Sequence, residues 1–258
     1  MPTASDNALE AAETSDAAVL RSLGTHRSMS VRYAVASNPA ADDETVARLL
    51  EDRAGSVRSA AATNLADRPT LQQVVVRSPE EWLRVALAGT FLDRDDRSLP
   101  RDVQCALMSD AFVETRSRIA ETTDQLDVFE TLLGDDDRRV RAMCAANPRI
   151  TRDHMERLVT DRTWQVRATA VGSGMRYPDD EQLLRLARDR SATVRWAVLC
   201  RPDVPRAALE LIADDTDEMN AQHARGELEG ERHVNSGTVT HDARMRRARA
   251  ERAAGFER

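Results

Sequence analysis

An apolar residue followed by arginine recurs along this chain at a nearly constant spacing. The steps between successive copies are 26, 26, 32, 25, 26 and 28 residues, so one interval carries an insertion. A fixed period of this length predicts a stack of repeats, in which each unit buries its apolar face only against its neighbours. The copies, one of which has threonine in the apolar position, are Val31-Arg32, Val57-Arg58, Leu83-Arg84, Thr115-Arg116, Val140-Arg141, Val166-Arg167 and Val194-Arg195.

Each copy begins a short run of small apolar residues, which is clearest at 31–39 and is repeated at 140–148 and 194–202. Alanine, valine and cysteine at the inner positions predict a helix of about two turns. The run at 31–39 ends in Asn38-Pro39. Asparagine tolerates the left-handed conformation and proline cannot continue a helix, so this pair predicts a helix stop.

A second pattern follows, with apolar residues at positions i, i+3 and i+4. This spacing places three side chains on one face of a helix. Each unit is therefore expected to hold two helices. The apolar triads are Val46/Leu49/Leu50, Leu71/Val74/Val75, Phe129/Leu132/Leu133, Met155/Leu158/Val159, Leu183/Leu186/Ala187 and Ala208/Leu211/Ile212.

Together the two patterns predict an all-α fold, a right-handed α-solenoid of about seven two-helix repeats of 25–28 residues. The array should span residues 17–221, with an insertion at 90–102. The acidic, polar segment 1–16 predicts disorder. A segment rich in Glu, Gly, Ser and Thr at 222–240 predicts a linker, and 241–258 predicts a basic tail that is helical or disordered.

The turn between units carries a regular pair of opposite charges. Five aspartates stand six residues before a repeat arginine, and Asp214 stands in the same column without a following arginine. Carboxylate and guanidinium match as a fork, so we expect a structural ladder along the stack. Catalytic residues are not duplicated in every unit of an array, which argues against a chemical role. The ladder residues are Asp52/Arg58, Asp110/Arg116, Asp135/Arg141, Asp161/Arg167 and Asp189/Arg195.

Composition narrows the function. The net charge of −7 disfavours a nucleic-acid binder, which usually carries a basic face. The 37 Lys and Arg residues are all arginine. Because the chain has no lysine, an enzyme mechanism that uses a lysine Schiff base is excluded. Three separated cysteines among apolar residues, Cys105, Cys144 and Cys200, indicate reduced thiols and a cytoplasmic protein. No run approaches the ~20 apolar residues of a membrane span.

The strings at 31–58 and 140–167, with their Val-Arg, Asn-Pro and Asp columns, resemble the bacterial variant leucine-rich repeat. The resemblance implies a HEAT-like α-solenoid of alternating α and 3₁₀ helices; the longer repeat of this chain indicates that its second helix is fully α. Some members carry an iron–sulfur cluster on an N-terminal cysteine-rich segment. This chain has no cysteine before Cys105, so the four thiolates of a cluster are missing and no cofactor is expected.

The favoured function is a non-enzymatic scaffold that binds a protein or peptide. The candidate partner-binding column is the i+2 position of each second helix, which is mixed in charge: Arg48, Gln73, Thr131, Arg157, Arg185 and Glu210. The alternative is a HEAT-like DNA-binding protein or alkylated-base DNA glycosylase, in which Trp164 and Trp196 could approach each other.

His233 and His241 lack the spacing of a zinc site. We therefore expect no metal site and no catalytic residues.

Overall fold

The structure, a computed structural model, describes residues 2–90, 98–172 and 178–235, with side chains described up to residue 230. All regular secondary structure in these ranges is helical, as predicted. The chain divides into two compact units, Met1–Leu132 and Leu133–Arg258. None of the described helices combines the length and the apolar character needed to cross a membrane.

The first unit is a succession of short helices that ends within the last turn of α10. Their bounds are α1 (Ala4–Glu13), α2 (Ala17–Leu23), α3 (Met29–Ser37), α4 (Asp43–Leu50), α5 (Gly55–Thr63), α6 (Pro69–Val75), α7 (Glu81–Ala88), α8 (Arg101–Met108), α9 (Val113–Thr122) and α10 (Leu126–Leu133). A 3₁₀ helix, Asn64–Asp67, follows α5.

The second unit repeats the same alternation and ends in a longer helix. Its helices are α11 (Arg138–Met143), α12 (Arg152–Val159), α13 (Trp164–Gly172), α14 (Asp180–Leu186), α15 (Ala192–Leu199), α16 (Arg206–Ile212) and α17 (Glu218–Asn235). A 3₁₀ helix, Cys144–Ala146, follows α11. The 3₁₀ segments thus extend first helices, and the described second helices are α-helical, as the repeat length indicates.

The helices that contain the Val-Arg pairs form the continuous core of each unit. In the first unit α3 packs between α1 and α5, and in the second α13 packs between α11 and α15. Their inner side chains are small: Val31, Val57, Val140 and Val166 are fully buried. Small side chains let neighbouring helices approach closely, so the stack is held by many short apolar contacts.

The second helices cover this core with the predicted apolar triads, with two exceptions. Leu49, Leu132 and Leu158 are each 1% exposed. Val74, however, is 62% exposed, and Leu211 is half-buried. In α6 the inward position is taken by Gln72, whose amide donates to the carbonyls of residues 65 and 66 at 2.8 and 3.2 Å. The prediction that Val74 lies on the buried face is therefore wrong.

The predicted disorder of 1–16 is wrong for residues 4–13, which form α1. Thr3 caps this helix, since its hydroxyl accepts from the Asp6 N–H at 3.2 Å and the Asp6 carboxylate accepts from the Thr3 N–H at 2.8 Å. Ala11 is fully buried against α3. A small-residue face is enough to pack here because the neighbouring core helices are equally thin. α1 therefore covers the N-terminal end of the stack.

The predicted linker at 222–240 is also wrong in its first part, because α17 runs to Asn235. Ala221 and Ala224 are fully buried and Leu228 is 7% exposed. These positions are three and four residues apart, which puts them on one helical face against α15 and α16. The rest of the linker and the tail at 241–258 lie outside the described residues.

The insertion at 90–102 joins α7 to α8, and residues 91–97 of it lie outside the described residues. Its last part is ordered structure rather than loop, since α8 already begins at Arg101. Leu99 is 5% exposed, and Ser98 Oγ donates to the Asp124 carboxylate at 2.8 Å. These contacts attach the end of the insertion to the turn before α10.

Candidate interaction surface

In several of the described repeats, a bidentate arginine–aspartate pair, which we call a rung, joins the repeat to the next turn along the chain. In one of them, Arg141 Nε donates to an Asp161 carboxylate oxygen at 2.8 Å, and Nη2 donates to the other oxygen at 3.2 Å. The two side chains are 6% and 10% exposed. The described rungs are Arg32–Asp52, Arg84–Asp110, Arg141–Asp161, Arg167–Asp189 and Arg195–Asp215.

We expected each aspartate to pair through its carboxylate with the arginine six residues later. That is wrong, because the arginine binds the backbone carbonyl of the aspartate. Arg58 Nη1 donates to the backbone carbonyl of Asp52 at 2.8 Å, whereas the Asp52 carboxylate accepts from Arg32 of the preceding repeat at 2.6 and 3.1 Å. The ladder therefore passes from one repeat to the next through the carboxylates. The carbonyl bond recurs from Arg116, Arg141, Arg167 and Arg195 to Asp110, Asp135, Asp161 and Asp189.

The turn itself explains why the carboxylate faces the preceding repeat. Asp52 Oδ1 accepts from the N–H of Ala54 at 2.8 Å, and Asp161 Oδ1 accepts from the N–H of Thr163 at the same distance. This Asx-type bond fixes the side chain against its own turn and leaves the carboxylate directed away from its following arginine. One aspartate thus closes a turn and joins two repeats.

In two of the rungs the ion pair lowers the pKa of the aspartate. The hydrogen bond from Arg32 holds the pKa of Asp52 below its usual value against the opposing effect of burial. The hydrogen bond from Arg195 lowers the pKa of Asp215 to about 2. The last described rung is taken by Asp215, the neighbour of the Asp214 that stands in the predicted column, and Asp215 Oδ1 also accepts from the Asp217 N–H at 2.9 Å. Burial of the pair makes both partners depend on each other.

Asparagines at the ends of the first helices form a second set of hydrogen bonds between repeats. Asn38 Nδ2 donates to the carbonyls of Ala11 and Thr14 at 2.8 Å each, at the end of α1. Asn64 Nδ2 donates to the carbonyl of Ala36, at the end of α3, at 2.6 Å. The helix ends just before Asn38, as predicted, but Asn38 is extended, with φ −83° and ψ 120°, so the left-handed conformation is wrong. The amide instead satisfies carbonyls that the preceding helix leaves unpaired.

The predicted partner-binding column lies on the outer side of the second helices. All its members are exposed except Gln73, which is half-buried. Several have partners within the chain: Arg48 donates to the carbonyl of Arg21 at 3.2 Å, and Gln73 donates to Asp102 at 2.7 Å. Arg185 pairs with Glu156 of the preceding second helix. The column is therefore an ordered set of mixed charges rather than a row of unpaired groups.

Further exposed ion pairs connect neighbouring second helices. Arg152, at the start of α12, pairs with Asp179 at 2.6 Å and with Glu181 at 2.8 Å, at the start of α14. In the first unit a partly buried pair joins Arg68, just before α6, to Asp43 at 2.5 Å. Each exposed pair contributes about 0–1 kcal/mol, so these contacts orient side chains more than they stabilise the fold. Sequence spacing did not indicate them, since their partners lie about one repeat apart on different helices.

Trp164 and Trp196, both in the second unit, make no ring contact with each other of the kind that a shared base-binding pocket would require. In the described residues, the ring of Trp196 lies 5.0 Å from that of His223, and Trp82 lies beneath the guanidinium of Arg58. Trp164 is 43% exposed. The same residues contain no cluster of three or more side chains suited to a metal ion. Both histidines considered for zinc, His233 and His241, lie beyond the described side chains.

Similarity to known proteins is found among solved structures. No family model matches the sequence, and no curated protein does. Among solved structures, the chain is similar to one described as a leucine-rich repeat variant with a novel repetitive protein structural motif. The two share 23% sequence identity over 78% of this chain and 87% of that chain, with a TM-score of 0.44.

Proposed function

We propose that this protein is a non-enzymatic cytoplasmic scaffold that binds a protein or peptide partner on its second helices. The observation that carries the proposal is the exposed column of α12, α14 and α16, where Arg157, Arg185 and Glu210 offer both signs of charge. Its side chains are already ordered by neighbours, as Arg185 is by Glu156. Ordering before binding lowers the entropic cost of association.

The buried charges support the same proposal. Arg141, Arg167 and their aspartates join neighbouring repeats, so the charges that recur along the array are structural. What varies from unit to unit is the exposed column. A repeat protein separates these two roles, with constant residues for stacking and variable ones for recognition. Mixed charge favours a protein surface over a phosphate backbone, which selects basic residues.

A pull-down from native lysate tests the proposal, with the recovered partner then measured against purified variants. We expect Arg157→Glu/Arg185→Glu to weaken binding at least tenfold, which corresponds to about 1.4 kcal/mol. The matched control is Arg138→Glu/Arg188→Glu, which changes the net charge equally at exposed positions outside the column. It should bind within threefold of wild type (an order-of-magnitude bound).

Two results would overturn the scaffold. The first is equal binding by the column variant and the control, which would remove the column from the interface. The second is tight DNA binding that weakens steeply with salt, since that dependence reports the release of counterions from phosphates. The second result would favour the DNA-binding alternative.

A further inference from the structure

One rung of the ladder is interrupted, at Arg58. Where an aspartate stands 20 residues after Arg32, Arg141 and Arg195, Ser78 stands 20 residues after Arg58. Ser78 Oγ accepts from the N–H of Glu80 at 3.2 Å, which reproduces the turn bond that aspartate makes elsewhere. Serine thus keeps the role of aspartate in the turn and supplies no carboxylate to the preceding repeat.

The guanidinium of Arg58 nevertheless holds the position that a rung requires. Its Nη1 donates to the carbonyls of Asp52 and Arg53 at 2.8 and 3.3 Å, the bond that anchors the other repeat arginines. Its carbon lies 5.4 Å from the centre of the Trp82 ring, which favours a cation over its face. In the described residues no carboxylate pairs with its Nε and Nη2, the two donors that hold an aspartate in the complete rungs.

Arg58 is less buried than the arginines of three complete rungs. It is half-buried, as the arginines of the other two complete rungs are, whereas Arg32, Arg141 and Arg167 are 5–6% exposed. Gly55 stands three residues before Arg58, and a side chain there would begin 3.6 Å from Arg58 Nη2. In the rungs of Arg32 and Arg167 the same position holds methionine and tryptophan. The glycine therefore leaves the approach to the guanidinium open.

An open groove of about 900 Å³ adjoins the interrupted rung and shares Ser78 with it. Pro69, Val74 and Pro79 give the groove an apolar wall. Val74 is 62% exposed, an unusual state for the triad position of a second helix. The donor edge of Arg58 and the apolar wall of the groove thus both adjoin Ser78.

We propose that the interrupted rung binds the aspartate side chain of a partner peptide. Its carboxylate accepts from Arg58 Nε and Nη2 as a chain aspartate does in the complete rungs, and its apolar neighbours lie along Val74 and the two prolines. Planar bidentate pairing selects a carboxylate over other acceptors. The proposal rests on a protein or peptide partner, as the proposed function does, but it assigns that partner's acidic residue to a different surface.

Peptide selection on the full chain tests this. A random library is displayed with its C-terminus fused to the carrier, so that carboxylates come only from side chains. We expect the selected peptides to share one aspartate beside an apolar residue. In a Trp164→Phe/Trp196→Phe background, the fluorescence of Trp82 should change on titration, and replacing the peptide's aspartate by asparagine should weaken binding at least tenfold (order of magnitude). Selection without an acidic residue would overturn the proposal.

Two chain variants close the site in different ways. Ser78→Asp supplies the missing carboxylate, so it should raise the unfolding midpoint and abolish peptide binding. Gly55→Leu covers the donor edge without adding charge and should also abolish binding. Ser59→Asp, on the exposed side of α5, is the charge-matched control and should bind as wild type does. Unchanged binding by Ser78→Asp, with or without a higher midpoint, would refute the site.

The two proposals fail separately. Arg157→Glu/Arg185→Glu should leave peptide binding at Arg58 unchanged, because those residues lie in the second unit. If the partner recovered through the column binds Ser78→Asp normally and the selected peptides do too, only the interrupted rung is refuted. If peptides bind at Arg58 while the column variant behaves as its control does, only the column is refuted.

Discussion

Replacing Asp161 by serine introduces into a complete rung the substitution that Ser78 makes naturally. The serine hydroxyl can still accept from the Thr163 N–H, so the turn is retained while Arg141 loses both carboxylate bonds. Removing one partner of a buried ion pair costs about 3–5 kcal/mol. Arg141 keeps its bonds to the carbonyls of Asp135 and Asp136 at 2.7 and 3.0 Å. We therefore expect the lower end, about 3 kcal/mol.

Urea denaturation followed by circular dichroism measures this change through the linear dependence of the unfolding free energy on urea. Glu210→Ala is the control, because it removes an exposed pair with Arg206 at 2.9 Å and should cost less than about 1 kcal/mol. The double variant Arg141→Met/Asp161→Ser removes the stranded charge and should recover at least half of the loss. A cost below about 1 kcal/mol for Asp161→Ser, or no recovery in the double variant, would refute the reasoning.

Three further outcomes can be measured on the same chain. Asn38→Ala removes two bonds to the end of α1 and should cost about 1–3 kcal/mol, with faster amide exchange in α1; unchanged exchange would contradict it. Because Arg195 lowers the pKa of Asp215 from 3.8 to about 2, its stabilisation is complete above pH 3.8 and is lost as pH falls towards 2; wild type should lose about 2 kcal/mol more than Asp215→Asn over that range. Burial raises the pKa of Cys144 to about 12, so a thiol reagent should label exposed Cys200 in the native protein and Cys144 only after unfolding.

The helical stack could be predicted because its cause is local. The repeat period of the small apolar residues and the apolar triads at i, i+3 and i+4 predict which helix faces are buried. One such triad, Val46, Leu49 and Leu50, is buried. α17 was missed although Ala221 and Ala224 carry a similar signal, because the surrounding polar residues outweighed two alanines. Composition is a poor guide where a helix needs only a thin apolar face to pack.

The pairing of charges in the ladder could not be predicted from the sequence, for a different reason. Most of its aspartates and arginines were identified from their spacing, but the pairs were not. Asp161 lies six residues before Arg167 and 20 residues after Arg141, so the sequence is consistent with either partner. The choice is made by the direction of the carboxylate, which the bond to the Thr163 N–H sets. Sequence spacing contains no information about that direction.

The two ends of the ladder differ from its interior. Where an aspartate would receive an arginine from a preceding unit, His26 stands instead; its Nδ1 accepts from the Ser28 N–H at 3.0 Å and its carbonyl accepts from Arg32. Six residues after Asp215, where an arginine would reach a following unit, stands Ala221. The residues at the two ends of the ladder thus limit the number of repeats that rungs can join. Engineering a longer array means duplicating an interior unit, since a unit added at either end would find no partner for its rung.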